Sequence, residues 1–274
     1  MVDIAILCVN YNSYNELNNY IESIDIAAKI AANKVFVDVY IADNSDIKQD
    51  IETKKYATIN SYLFLNNQNL GYMGAIMQLI KEIGDEKIKQ YDYVIFSNVD
   101  LLLSDSFFIN LIQTDYPENI GWIAPRIKTI GKNKEENPFI MNRPTTFKLK
   151  MLKLYYSSSL IYILYQFFYQ FRHKDRKKMT LNNKIIKIYA GHGSIMIFTK
   201  SFIYKNYNFN FPGFMYGEEI FFAELSRIEN LNVIYCPYVS VFNIGGVSTK
   251  LYKVKLIRKF NKNSLKLIEK LFYS

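Results

Sequence analysis

The chain has 274 residues, half of them hydrophobic, so it is long enough to bury a substantial core and is not a disordered protein. Its net charge of +9 is uneven: residues 147–187 carry +9, residues 250–274 carry +7, and the remainder is mildly acidic at −7. An acidic body excludes a nucleic-acid-binding surface spread over the fold, and the two basic segments predict local contacts with something anionic.

Residues 1 to about 125 alternate between strand-like and helix-like segments. Short apolar runs predict the strands of a parallel sheet that is covered on both faces. These runs are Ile4 to Val9, Val35 to Ala42, Tyr62 to Leu65 and Tyr93 to Ser97. Helices are predicted at Gly71 to Ile83 and at Asp105 to Gln113, and Ser13 with Glu16 fits a capping box that opens an earlier helix. The alternation is typical of a βαβ nucleotide-binding half.

Residues 126–187 interrupt this alternation. A polar loop precedes the segment from Leu152 to Phe171, which is rich in Tyr, Phe, Leu and Ile and has Lys153 as its only charge. Because serines, glutamines and tyrosines fall within this segment and basic residues follow it, we expect a helical stretch in 147–178 that lies in the headgroup region of a membrane. A helix packed on the protein or on a dimer partner is the alternative, and a membrane span ranks last.

The last part of the chain returns to regular structure. Strands are predicted from Ile188 to Phe198 and from Val233 to Phe242, the latter broken at Pro237, and a helix is predicted from Gly217 to Glu229. Apolar residues spaced among lysines from Lys250 to Tyr273 predict a basic amphipathic helix. We therefore expect a domain over 1–249, with an insertion at 126–187, followed by a helix at 250–274.

Two further features bear on where the protein works. The first residues show neither a basic start nor a small-residue cleavage site, so we expect no secretory signal and a cytoplasmic protein. Cys8 and Cys236 lie in apolar, strand-like surroundings, so we expect buried thiols rather than a disulfide or a zinc site.

Several polar residues stand where a ligand site is expected. Asp100 follows a buried strand, and in open α/β sheets ligands bind beyond the carboxyl ends of strands, so it is a candidate metal ligand or a simple turn cap. Gly71 opens a helix, where flexible backbone allows close approach to a phosphate or serves the helix start alone. Glu218 and Glu219 begin another helix and point about 100° apart, so they are candidates for two different roles or simply complement the helix dipole.

Six short motifs occur in a fixed order at wide spacing. They are Leu7 to Asn12, Tyr40 to Ser45, Asn69 to Gly71, Ser97 to Asp100, Gly191 to Gly193 and Tyr216 to Glu219. The ordered set resembles a family 2 glycosyltransferase of the GT-A fold, in particular the bacterial surface-polysaccharide enzymes, including rhamnosyltransferase-like members. The resemblance covers residues 3 to 250 without 126–187. It implies an α/β fold with a Rossmann-like mixed sheet flanked by helices, to which the helical, basic and aromatic insertion and the C-terminal amphipathic helix are added.

The resemblance also implies roles for the motif residues. The expected nucleotide-binding residues are Asn10, Asn12, Asp43, Asn69, Gly71 and Asn98, with Asp43 accepting the imide N–H of the base of a UDP- or dTDP-sugar. The metal ligands are expected at Asp100 and Asn243, which would hold Mg²⁺ or Mn²⁺. Glu219 is the expected general base, Glu218 orients the acceptor or a loop, and His192 and Tyr216 contact the donor sugar or the acceptor.

Two positions depart from the family pattern. The family's metal motif is often Asp-x-Asp, and here its first position is Asn98. Many relatives have a His after the last strand where this chain has Asn243. We therefore expect a weakly held, substrate-dependent metal.

The leading functional hypothesis is an inverting glycosyltransferase that moves a hexosyl or deoxyhexosyl group to a hydroxyl of a glycan acceptor, expected to be lipid-linked, in bacterial surface polysaccharide synthesis. Such a protein would associate peripherally with the anionic inner face of the cell membrane, could form a homodimer, and would bind no nucleic acid. The alternative is a catalytically weak sugar-nucleotide-binding or scaffold subunit of a membrane glycan-assembly complex. A nucleotidyltransferase is disfavoured, because no glycine-rich loop with Arg and Lys occurs near the N-terminus.

Overall fold

The structure is a computed structural model that describes residues 1–49, 56, 58–131, 134–163, 183–206, 211–245 and 254–273. Within these residues, nine strands form one mixed sheet. The strands are β1 (Val2–Asn10), β2 (Val35–Asp43), β3 (Ile59–Leu65), β4 (Tyr93–Asn98), β5 (Leu101–Leu103), β6 (Ile120–Thr129), β7 (Ile186–Ile188), β8 (Ile195–Thr199) and β9 (Asn232–Asn243). Their order is β3-β2-β1-β4-β8-β6-β9-β5, and β7 pairs with β9.

Helices cover both faces of this sheet, and each face has its own apolar core. The helices are α1 (Tyr14–Ile30), α2 (Gly71–Ile83), α3 (Asp85–Ile88), α4 (Phe107–Gln113), α5 (Thr146–Ser157), α6 (Lys200–Asn206), α7 (Glu218–Ile228) and α8 (Val254–Phe272). The predicted parallel half, its three helices and the later α7 and α8 are thereby confirmed. Both cysteines are free and buried, as expected.

The parallel half brings polar strand ends to one edge. Strand β1 runs parallel to β2 and β4, with Asn10 opposite Asp43 and Val9 opposite Asn98. The run from Ile4 to Cys8 is fully buried, because both faces of β1 are covered. The first polar side chains therefore emerge together where these strands end.

Antiparallel strands complete the same edge from the other side. Strand β8 lies antiparallel to β4, and the N–H of Asn98 donates to the carbonyl of Ser194 at 2.9 Å. Strand β5 lies antiparallel to β9 with Leu101 opposite Asn243, and the N–H of Ile244 donates to the carbonyl of Asp100 at 3.2 Å. The sheet thus brings residues from four distant parts of the sequence to one place.

Two local predictions need correction, and a third is made specific. Strand β9 is not broken at Pro237, because a bulge accommodates the proline. Pro125 of β6 lies opposite Cys236, and the next residue, Arg126, lies opposite Ser240. The capping box is also wrong: Ser13 precedes α1, but its hydroxyl donates to the carbonyl of Tyr11 at 3.2 Å and caps no helical N–H. The segment predicted as one or two strands from Ile188 forms two, β7 and β8.

The insertion and the C-terminal helix pack on each other and on the domain. Leu149 of α5 is fully buried with Ile220 of α7 and with Leu265 and Ile268 of α8. The hydroxyl of Ser264 donates to the carbonyl of Met215 at 3.0 Å, which ties α8 to the loop before α7. The described part of the insertion packs on the domain through α5, as in the packed-helix alternative, whereas residues 164–178 of the predicted 147–178 stretch lie outside the described residues. Within the described ranges, no helix is both long and apolar enough to cross a membrane.

Candidate active site

Two adjoining cavities open at the polar edge of the sheet. The larger has a volume of about 550 Å³ and the smaller about 110 Å³. The predicted residues that line the larger one are Asn98, Asp100, His192, Tyr216, Glu218, Glu219 and Asn243. Asn69 and Gly71 line the smaller cavity, and Tyr72, Asn98, Asp100 and Met215 line both. Asp100 therefore lies where the two cavities meet.

The carboxyl group of Asp100 is largely buried at this junction. Burial raises its pKa, and the hydrogen bonds from its own backbone N–H and from the Asn98 side chain offset this only in part. A buried carboxylate without a cation beside it is electrostatically unsatisfied. The group is therefore suited to a positively charged ligand.

The donor atoms around Asp100 fit a hard divalent cation that is shared with a substrate. The cavity offers the carboxylate of Asp100, and the amide side chains of Asn98 and Asn243 line the same cavity. Within the described residues, no group of three or more His, Cys, Asp or Glu side chains could hold a metal alone. Mg²⁺ is often bound by one or two carboxylates together with substrate phosphates and water, so this set suffices only when a phosphate completes it.

The side chain of Asn243 is partly engaged. Its Oδ1 accepts the N–H of Gly245 at 2.8 Å, in a turn that follows β9. An amide oxygen has two lone pairs, so one remains for a ligand. Asn243 is thus a weaker donor than a free carboxylate would be.

Glu218 and Glu219 form the acidic pair at the start of α7. Oε1 of Glu219 accepts the N–H of Gly193 at 3.3 Å, whereas Oε2 of Glu218 is buried with no hydrogen-bond partner among the described residues. Burial, together with the charge of Glu219, raises the pKa of Glu218 well above its usual range. The two acids therefore differ: burial favours the protonated form of Glu218, and Glu219 accepts a hydrogen bond from the loop before β8.

Gly193 allows the loop before β8 to lie directly against both carboxylates. A Cβ atom at this position would lie 2.8 Å from Oε1 of Glu219 and 3.1 Å from Oε1 of Glu218. These distances are too short for unshifted atoms, so a side chain here would displace the acids. Of the two glycines that flank His192, Gly193 is therefore required by its close contact with the acidic pair.

His192 is held in one tautomer. Its Nδ1 accepts the backbone N–H of Ser194 at 3.2 Å, so the proton of the neutral ring is on Nε2. Its own N–H donates to Oδ1 of Asn137 at 2.8 Å, and the ring stands edge-on to Phe139. The ring is a fixed part of the cavity wall, with Nε2–H as its remaining donor.

Asp43, the expected base-binding residue, is fully buried. Its Oδ1 accepts from Asn10 at 3.1 Å and from Ser45, and its Oδ2 accepts the Tyr14 hydroxyl at 2.9 Å. Neither cavity is lined by Asn10, Asn12 or Asp43 among the residues described. The structure thus keeps Asp43 in a saturated network behind the smaller cavity.

Gly71 is required by packing rather than by a ligand alone. Its φ is +72°, and a Cβ atom would lie 2.4 Å from the carbonyl oxygen of Phe214. Its N–H donates to Oδ1 of Asn69 at 2.9 Å, and that oxygen also accepts from Asn44 at 3.3 Å. This glycine therefore joins the start of α2 to the loop that carries Tyr216.

Sequence reasoning missed Tyr72, the residue next to Gly71. It lines both cavities, and its hydroxyl is buried without a hydrogen-bond partner in the part of the chain that the structure describes. Its position at the start of α2, next to Gly71, could have indicated that it lines the site. The aromatic wall formed by Tyr155, Tyr156 and Tyr162, and the contribution of α8 through Ile257 and Asn261, had no signal in any motif.

Comparison with known proteins identifies the fold. No protein-family model and no curated protein sequence matches the chain. The crystal structure of GalNAc-T7 with UDP, GalNAc and Mn²⁺ covers 100% of this chain and 57% of its own, with a TM-score of 0.57 and 12% identity. The crystal structure of S. aureus TarS 1–349 covers 86% of this chain and 60% of its own, with a TM-score of 0.51 and 10% identity.

Both similar structures are glycosyltransferases of the GT-A class, so the predicted fold class is confirmed. The chain spans less than two thirds of either structure. At such low identity the likeness concerns the fold and leaves the chemistry to be argued from the site.

Proposed function

We propose that this protein transfers a sugar from a nucleoside diphosphate to a hydroxyl group of a glycan acceptor. The observation that carries the proposal is the meeting of Asp100 and the Glu218–Glu219 pair around one cavity at the edge of a GT-A sheet. Asp100 is suited to the diphosphate side of the cavity, and the Glu218–Glu219 pair is suited to the acceptor side. A protein that only bound a sugar nucleotide would not need a pair of acids on the acceptor side of that cavity.

The smaller cavity is the proposed nucleotide site, with Asn69, Gly71 and Asn98 in its wall. The similar structure that contains UDP supports UDP, and dTDP remains the second candidate. For Asp43 to accept the imide N–H of the base, the base must displace one of its present partners, such as the Tyr14 hydroxyl at 2.9 Å. Asn10 and Asn12 belong to the same proposed site through the strand end that they share.

Mg²⁺ or Mn²⁺ is the proposed cofactor, held by Asp100 with help from Asn98 and Asn243. When bound, the ion offsets negative charge on the leaving diphosphate. Neither cavity is lined by Lys or Arg among the described residues, whereas three carboxyl groups line the larger one. An anionic donor therefore needs a cation here, and the similar structure that contains Mn²⁺ supports the same view.

The proposed reaction is a single displacement. Oε of Glu219 takes the proton of the acceptor hydroxyl, and the acceptor oxygen forms a bond to the anomeric carbon. The bond from that carbon to the diphosphate oxygen breaks, and its electron pair leaves with the diphosphate. One displacement inverts the anomeric centre. Glu218, which keeps its proton, and His192, through Nε2–H, are the proposed donors to sugar hydroxyls, with Tyr216 beside them.

The test is turnover of a panel of UDP- and dTDP-sugars with Mn²⁺, by the wild type and by Glu219→Gln. We expect the variant to lose about 10²- to 10⁴-fold in rate, as is typical when a general base is removed. Product NMR is expected to show an inverted anomeric centre. A scaffold subunit would instead bind the nucleotide without Glu219-dependent turnover.

The proposed setting is bacterial surface polysaccharide synthesis on a lipid-linked acceptor at the inner face of the cell membrane. The two basic segments support it, because polybasic segments bind anionic lipid. Replacing the lysines from Lys250 to Lys270 by glutamine is expected to release the protein from anionic vesicles in a flotation assay. Unchanged flotation would contradict membrane association through this helix, and light scattering would test the homodimer.

A further inference from the structure

A third cavity, of about 510 Å³, lies between α8 and the chain that follows α5. We call it the basic cleft, and it is lined by Lys255, Arg258, Lys259 and Lys262 of α8 together with Tyr156 and Tyr162. Residues three, four and seven apart lie on one side of a helix. The four cations therefore form a single row along the cleft.

Among the described residues, this row has no counter-charge. The cleft is lined by no carboxylate among the residues described, and none of its four cations makes an ion pair with them. Glu269 is the only acid of α8, and it pairs with Lys153 near the other end of the helix. Like charges at this spacing repel each other, so an anionic ligand would relieve an unfavourable arrangement.

Arg258 is held ready for such a ligand. Its Nε donates to the carbonyl of Tyr156 at 3.3 Å, and one Nη1–H donates to the hydroxyl of Ser159. The Tyr162 ring lies against the guanidinium, with 5.9 Å between Cζ and the ring centroid. Three of its five N–H donors remain, in the planar geometry that matches a phosphate group.

The basic cleft continues from the larger catalytic cavity. Tyr156 and Tyr162 line both spaces, and Ile257 and Asn261, on the adjoining face of α8, line the cavity that contains Glu219. A molecule whose hydroxyl group lies at Glu219 can therefore extend past the tyrosines to the row of cations.

We propose that the basic cleft binds the phosphate end of the acceptor, so that the acceptor is a glycan joined to a phosphate or diphosphate. This inference rests on the proposed function, because it takes the larger cavity as the place of the acceptor hydroxyl. It gives α8 a specific role in substrate binding, in addition to any general attraction to a membrane.

The test compares two variants that each lose three charges. The cleft variant is Lys255→Gln/Lys259→Gln/Lys262→Gln, and the control is Lys34→Gln/Lys266→Gln/Lys270→Gln. Flotation with phosphatidylcholine vesicles that carry a polyprenyl diphosphate is measured in EDTA without a sugar nucleotide. Three lost contacts are expected to weaken binding on the order of 100-fold in the cleft variant and at most about threefold in the control.

A second set of vesicles separates the two sources of phosphate. On phosphatidylglycerol vesicles of matched surface charge, we expect both variants to lose binding without a roughly 30-fold difference between them, because that attraction depends on the number of nearby basic residues and not on the cleft. Equal losses on the polyprenyl diphosphate vesicles would overturn the proposal. The proposal would also be overturned if the cleft variant lost as much more binding than the control on phosphatidylglycerol vesicles. It would be overturned as well if the wild type did not bind the polyprenyl diphosphate vesicles.

The outcome is independent of catalysis. Binding is measured without donor and without turnover, so a protein that fails to transfer sugar can still pass this test, and an active protein can still fail it. Circular dichroism melting checks that both variants are folded.

Discussion

Gly193→Ala tests whether the close contact between the loop before β8 and the acidic pair matters for chemistry. The added Cβ atom would lie 2.8 Å from Oε1 of Glu219 and 3.1 Å from Oε1 of Glu218. The first distance is below what real Cβ atoms show, so at least one carboxylate has to move. Because the clash involves the ends of side chains, the fold itself can absorb the change.

The expected effect is a loss of rate with little loss of stability. A misplacement of about 1 Å in a catalytic group costs roughly 100-fold, so a smaller shift predicts a fall in kcat of about 10- to 100-fold. We expect the free energy of unfolding to change by less than about 1 kcal/mol. Initial rates at saturating donor and Mn²⁺, together with urea unfolding, measure the two quantities on the same preparation.

Gly121→Ala is the matched control, because it creates a clash of the same length in the core. Its Cβ atom would lie 2.8 Å from Cβ of Leu231 and 3.4 Å from the Phe202 ring. Overpacking of this kind costs about 1–3 kcal/mol, and we expect kcat per folded molecule to stay unchanged. Full kcat in Gly193→Ala, or a loss of stability as large as that of Gly121→Ala, would refute the reasoning.

Three further predictions follow from the charges of the site. Asp100→Ala is expected to abolish transfer and the response to Mn²⁺ while the melting curve stays as in the wild type; retained activity would contradict a metal role. Glu218→Gln is expected to keep most of kcat. Because burial raises the pKa of Glu218 in the folded state, the free energy of unfolding of the wild type should fall as pH rises above about 4.3, the pKa of an unfolded glutamate. Urea unfolding over a range of pH should show a smaller fall in the variant. Burial alone would raise the pKa of Glu224, but hydrogen bonds from Arg143, Tyr189 and Arg227 lower it. Arg143→Leu should therefore lower the free energy of unfolding by about 1–3 kcal/mol at pH 7. That cost should shrink as pH falls below about 4.3, where the wild type loses the same interaction, and a constant cost would contradict the ion-pair explanation.

The sequence was sufficient for the first parallel strands of the sheet and for the meeting of their polar ends. Continuous apolar runs identified β1, β2 and β4, and parallel strands that end in Asn10, Asp43 and Asn98 must bring those residues to one edge. The positions of Asp100 and Glu219 in one cavity agree with the ordered motifs, although the motifs lie more than 100 residues apart. Their roles remain predictions.

Other features depend on contacts that periodicity does not encode. The alternation around Asp43 predicts a strand end, but its carboxylate accepts four hydrogen bonds, from Asn10 at the end of β1, from Tyr14 at the start of α1 and twice from Ser45. The contacts with β1 and α1 depend on tertiary packing. The short strand β5, with three residues, has no period to detect. The amphipathic pattern of α8 predicts an apolar face but not its partner, which proves to be α5 and α7 rather than lipid along the part that buries Leu265 and Ile268.

Under the proposed function, the balance of charge explains why the site would need a cation to work. Asp100, Glu218 and Glu219 all line the larger cavity, and no Lys or Arg of the described residues lines it. Burial favours the neutral form of Glu218, which offsets part of this negative charge. A nucleoside diphosphate brings further negative charge to the junction at Asp100, so its binding and that of a divalent cation must be coupled. The lysines and Arg258 of α8 lie beyond the tyrosine wall, where they cannot replace that cation but can attract an anionic acceptor. Donor and acceptor would thus be held by two separate sources of positive charge, with the acidic pair between them.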